Sequence, residues 1–187
     1  MIKVFLSGSR SISRLNDEVR ARLDEMLETG ATIVVGDAPG ADKAFQAHLA
    51  DKDCTEVVVY CSGTHSRNNV GDWERKMVMV GPGLKGREFY SVKDRAMARD
   101  ADRGLVLWDG KSLGSLQNAI ELLDQGKPVT VYLAPAETFF EIATWEELRP
   151  LYEACSEKTK RLLEERIDYL RPEPGSDDGV TQLTLGF

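Results

Sequence analysis

Histidine is almost missing from this chain. His48 and His65 are the only two among 187 residues, and they stand far apart. Cysteine is nearly as scarce: Cys54, Cys61 and Cys155 form an odd set at wide spacing. Such a set excludes a disulfide framework and offers no zinc-site spacing, so no metal is expected. Cys54 and Cys61 flank or sit in an apolar run and read as core thiols. No apolar run approaches the ~20 residues of a membrane-spanning helix. Residues 1–8 are too short an apolar run for a secretory leader and read as a strand. A cytoplasmic protein with no membrane partner is the expectation. Positive charge is not in excess either. Lys and Arg number 24 against 31 Asp and Glu, a net charge of −7, which argues against strong direct nucleic-acid binding. A local basic pocket for a small anion is still compatible with that balance.

What is present is a regular alternation. Apolar, β-branched runs at 2–7, 32–36, 56–61, 104–108 and 129–133 lack in-out alternation, as strands buried on both faces do. Between them lie amphipathic stretches. Leu15, Val19, Leu23, Met26 and Leu27 recur at helical spacing over 15–28, and 41–50, 92–100 and 115–125 follow the same logic. Gly30 and Gly126 stand where helix C-caps belong. This β-α-β order predicts an α/β fold: a Rossmann-like open parallel sheet of about five strands, helices on both faces and right-handed crossovers.

The core is expected over 1–135. Residues 62–88 interrupt it with a Gly-rich insertion holding Arg67, Asn68, Asn69, Trp73 and Glu74. An insertion of that length after a strand reads as a lid or specificity loop. A helical extension is expected over 136–170. Thr144 and Glu147 form a capping box ahead of a helix at 145–154, and a second helix covers 156–170. Residues 171–181 have the composition of a flexible linker leading to the hexapeptide 182–187.

Three loops follow three strands, and in an open parallel sheet such loops meet at the C-terminal edge. The first carries Gly8, Ser9 and Arg10: a close backbone approach, a hydroxyl and a fork for phosphate. The second runs from Gly36 to Lys43 and opens a helix. Gly40 breaks the chain there, Asp37 is a candidate for ribose hydroxyls, and Asp42 is a candidate helix cap or site residue. The third holds Asp109, Lys111, Ser112, Gly114 and Ser115 at another helix start, a combination that can wrap a phosphate. It departs from the Walker A spacing, so ATP hydrolysis is not expected. Trp73, Tyr90 and Trp108 are candidates for stacking on a base, although Trp108 also suits core packing.

Over about 1–133 these three loops resemble the SLOG superfamily, Rossmann-like proteins related to the cytokinin-activating LOG phosphoribohydrolases and to the DNA-processing protein A family. The resemblance implies a nucleotide or nucleotide-derived ligand at Gly8, Ser9, Arg10, Gly36, Asp37, Gly40, Asp42, Lys43, Lys111, Ser112, Gly114, Ser115 and Asn118, with no further cofactor required. It also implies a bacterial source and a homodimer through helices flanking the sheet. LOG enzymes carry Pro-Gly-Gly-x-Gly-Thr-x-x-Glu, with the glutamate acting in glycosidic cleavage. Aligned on Gly114 and Ser115, this chain has Asn118 there, and an amide cannot act as a carboxylate. Glu121 lies one helical turn further on. Binding or sensing is therefore the leading expectation. The alternative is N-glycoside hydrolysis or deoxyribosyl transfer on nucleosides or nucleoside monophosphates, with Asp109, Asp94 or Glu88 as the acting carboxylate.

The end of the chain carries a second resemblance. Gln182, Leu183, Leu185 and Phe187 are similar to the Gln-Leu-x-Leu-x-Phe peptide by which bacterial replication and repair proteins bind the DNA-polymerase sliding clamp. An extended peptide with alternate apolar anchors suits a hydrophobic pocket. Packing on the chain's own domain is the other reading.

Overall fold

The structure is a computed structural model, and it describes residues 1–165. A seven-stranded sheet runs through it in the order β4-β3-β2-β1-β5-β6-β7. The strands are β1 (Lys3–Gly8), β2 (Thr32–Gly36), β3 (Val57–Ser62), β4 (Glu74–Val78), β5 (Arg103–Trp108), β6 (Val129–Leu133) and β7 (Thr138–Ile142). Six are parallel, and only β7 runs antiparallel, against β6. The order reverses between β1 and β5. The loops after these two strands diverge to opposite sides there, leaving a crevice.

The helices are α1 (Asp17–Glu28), α2 (Ala41–Asp51), α3 (Gly86–Asp100), α4 (Leu113–Asp124), α5 (Trp145–Glu153) and α6 (Glu157–Glu164). Successive residues of a strand face opposite sides, so β1 feeds two cores. Val4 and Leu6 pack with Val19 and Leu23 of α1 and Phe45 and Leu49 of α2. Phe5 belongs to the opposite core, together with Met97 of α3, Leu116 and Ile120 of α4, and Leu148 and Leu163 of the last two helices. Phe5 is wholly buried. Its truncation to Ala is expected to cost ~3–5 kcal/mol. No helix among the described residues is long and apolar enough to cross a membrane.

The expected fold class holds, with seven strands rather than five. β4 escapes a search for apolar runs because Glu74, Arg75 and Lys76 open it at an exposed edge, with a neighbour on one side only. β7 escapes because it is short and half-exposed. Helix α3 starts six residues before the expected 92, its first turn being exposed and polar. The capping box forms: Thr144 Oγ1 accepts from Glu147 N–H, and Glu147 accepts from Thr144 N–H. The rest of the expected 156–170 helix, the linker and Gln182, Leu183, Leu185 and Phe187 lie outside the described residues.

Candidate functional site

A cavity of about 400 Å³ opens at the crevice between β1 and β5. Ser7 and Gly8 end β1, Asp109 follows β5, and the first turns of α3 and α4 close the sides. Packing forces glycine at two places around it. A Cβ on Gly8 would come within 2.6 Å of Ala41 Cβ and 2.7 Å of the Leu107 carbonyl. Gly40 has φ +82°, and a side chain there would run into the backbone of Arg10.

Ser9 joins the three loops. Its N–H donates to Leu107 O at 2.8 Å, and its carbonyl accepts from Ala41 N–H at 3.2 Å. Its hydroxyl accepts from Asp109 N–H at 3.1 Å and lies 3.1 Å from Ser115 Oγ. Ser115 Oγ donates in turn to Ser112 Oγ at 3.1 Å. A hydroxyl has one proton. With that of Ser115 spent on Ser112, Ser9 donates to Ser115, and the chain of donors ends on Ser112. Among the described residues nothing accepts the Ser112 proton.

That hydroxyl sits at the start of α4. The helix has no side-chain cap at its N-terminus and no acidic residue in its first turn. Unsatisfied N–H groups and the positive dipole end therefore face the cavity, where Gly114 leaves open space beside them. By contrast, α1 and α5 carry both a cap and two acidic residues.

The carboxylates divide by their partners. Asp109 accepts from Ser11 Oγ at 2.6 Å, Ser112 N–H at 2.7 Å and Lys111 N–H at 3.0 Å. Burial pushes its carboxyl up, but these hydrogen bonds outweigh that and hold it below the ordinary value. Asp37, 2% exposed, takes Arg67 in a fork: Nη2 to Oδ1 at 2.6 Å and Nε to Oδ2 at 3.1 Å. Burial raises Asp37 too, and the Arg67 bonds again win. Asp42 differs: burial dominates, and its carboxyl is pushed up to about 6 although Lys93 pulls it down. Lys93 Nζ lies 3.7 Å from Asp42 and 2.6 Å from Asp94. Burial works against its charge, but the two carboxylates more than compensate and raise it.

Of the residues expected at the site, Gly8, Arg10, Asp42, Asp94, Asp109, Ser112, Gly114, Ser115 and Asn118 line this cavity. Ser9, Gly36, Asp37 and Gly40 are not on its lining. Asp37 is fully engaged by Arg67, not presented to a ribose. Asp42 caps nothing: the N-cap of α2 is Gly40, and Asp42 instead accepts from Ala38 N–H. Lys43 does not join the cavity. It follows Asp42, which faces in, and the ~100° step of the helix turns it to solvent. Lys111 and Glu88 are exposed outside the lining as well. Asn118 donates to Ser7 Oγ at 2.7 Å, while Glu121 reaches the cavity from the next turn.

Sequence reasoning missed Lys93. The signal was there: Lys93, Ala96 and Met97 share the buried stripe of α3 at i, i+3, i+4. It missed Ser11 as well, which carries no pattern.

No protein-family model and no curated protein sequence matches the chain. Among solved structures, DNA processing protein A from Helicobacter pylori, whose structure was described for its single-stranded DNA binding mode, matches with a TM-score of 0.56 at 17% identity. The match covers 88% of this chain and 81% of that one. At that identity it establishes the shared Rossmann-like fold.

Proposed function

We propose that the cavity binds a phosphate-bearing nucleotide or nucleotide derivative, with the phosphate at the start of α4. The observation that carries this reading is the donor chain from Asp109 N–H through Ser9 and Ser115 to Ser112, ending beside an uncapped helix N-terminus. An anion there meets backbone N–H groups, a directed hydroxyl and the dipole together. Arg10 and Arg95 line the same cavity and add positive charge. Calorimetric titration with AMP tests the reading. Wild type is expected to bind AMP. Gly114→Leu is expected to bind at least about tenfold more weakly, because its side chain fills the open space at the seat while leaving helix α4 intact. Equal affinity in both proteins would remove the seat.

Single-stranded DNA is a second reading, favoured by the shared fold with a protein that binds it. The net charge of −7 speaks for the whole surface, not for this cleft. An oligo-dT that binds more tightly than AMP, with affinity falling steeply in salt, would favour this reading over a mononucleotide. The enzymatic rival is N-glycosidic cleavage or deoxyribosyl transfer, for which Asp94 and Asp109 are the expected carboxylates that line the cavity. Free adenine released from AMP by wild type and not by Asp109→Asn or Asp94→Asn would carry it. The Gln182–Phe187 peptide as a sliding-clamp contact is tested separately, by clamp pull-down with the full chain against a chain lacking Phe187.

A further inference from the structure

Among the three aromatic candidates for base stacking, the structure leaves one in position. Trp108 is 2% exposed in the core. Trp73 donates through Nε1 to Cys54 O at 2.7 Å and does not line the cavity. Tyr90 does line it, half-buried on α3, and among the described residues its hydroxyl has no hydrogen-bond partner. Three side chains pack around the ring. Phe89 meets it edge-on, with centroids 5.2 Å apart at 86°. The Arg67 guanidinium carbon lies 4.0 Å from the ring centroid, and that of Arg10 lies 5.5 Å away.

Arg67 is itself held by an arrangement that gives Arg67, Asn68, Asn69 and Trp73 of the insertion their roles. The Arg67 backbone N–H, Nε and Nη2 all donate to Asp37. Asn68 donates to the Asp37 carbonyl at 2.8 Å. Asn69 brackets Trp73, accepting from its N–H and donating to its carbonyl. The first half of the insertion is thus clipped to the loop after β2. The clip sets Arg67 against Tyr90.

We propose that Tyr90, fixed by Arg67, is the platform on which the planar heterocycle of a bound nucleotide stacks, and that Asp37 is the positioning residue for it. The inference rests on the phosphate reading above, since both subsites share one cavity. A ring immobilised before the ligand arrives loses little freedom on binding, so the gain from stacking is retained. Stacking uses the face that every base has, so the platform accepts purines and pyrimidines alike.

The test compares AMP with ribose 5-phosphate, which keeps the phosphate and sugar and lacks the base. Calorimetric titration of wild type is expected to favour AMP about 5- to 100-fold. Tyr90→Phe is expected to keep that preference, and Tyr90→Leu to bring the ratio close to one. Asp37→Asn, which touches no ligand, is expected to lower the ratio too, whereas a purely structural role would weaken both ligands equally. If Asp37→Asn does not fold by thermal melt, Tyr90→Leu decides alone. Equal binding of the two ligands by wild type, or a preference that survives Tyr90→Leu, overturns the platform and leaves the phosphate seat standing. Binding of neither ligand overturns the seat and the platform together.

Discussion

Lys93 and Asp42 face each other across 3.7 Å, with side chains only 3% and 7% exposed. A charge that deeply placed survives because of its partners, and Asp94 supplies the nearer one at 2.6 Å. Lys93→Met leaves Asp94 and Asp42 without that cation in the cavity wall. The variant is expected to lose about 3–5 kcal/mol in urea unfolding at neutral pH. A loss below about 1 kcal/mol would mean that water already screens the group.

The same geometry sets a pH dependence. Asp42 titrates near 6 in the folded chain, above its ordinary value of 3.8. Between those values the folded chain holds a proton that the unfolded chain has released. The stability drawn from Asp42 is therefore complete below the lower value and is lost as pH rises through the upper one. Asp42→Asn removes this term. Its unfolding free energy relative to wild type is expected to increase between ~pH 4 and ~pH 7, by on the order of 2 kcal/mol. A difference that stays constant over that range refutes the assignment.

Gly8 makes a prediction of the opposite kind, one of overpacking. An added methyl would press on Ala41 Cβ at 2.6 Å and Leu107 Cβ at 2.8 Å, both on packed elements. Gly8→Ala is expected to cost ~1–3 kcal/mol. Because the loop after β1 must shift, AMP affinity is expected to fall with it. Unchanged melting would show that β1 and α2 can separate freely.

The capping box offers a control away from the cavity. Thr144→Ala removes the acceptor for Glu147 N–H at the start of α5. A destabilisation of ~1 kcal/mol is expected, with no change in AMP affinity. Altered affinity would reveal coupling between α5 and the cleft through the core that α5 shares with α4.

The sheet was legible where its strands are buried on both faces. Apolar runs such as those around Val35 and Val106 have no other stable use in a chain of this composition. The edges were not legible, since Glu74, Arg75 and Lys76 read as loop and become strand only by pairing with β3. At the site, glycine and serine positions after strands were readable because turn chemistry is local. What Asp37 and Lys93 do was not. Each is decided by a partner on another element: Arg67, 30 residues further on, and Asp42, on α2. Spacing along the chain carries no trace of such pairings.

The cavity lies on a seam between distant stretches of chain. Val4 pairs beside Arg103, and Gly8 beside Leu107, a separation of roughly a hundred residues. Closing so long a loop is slow compared with forming any hairpin or neighbouring β-α-β unit. The two banks of the cleft can each be in place before they meet, and the cleft itself exists only after they do. A ligand that binds only the joined cleft would therefore favour the joined state over the parted one.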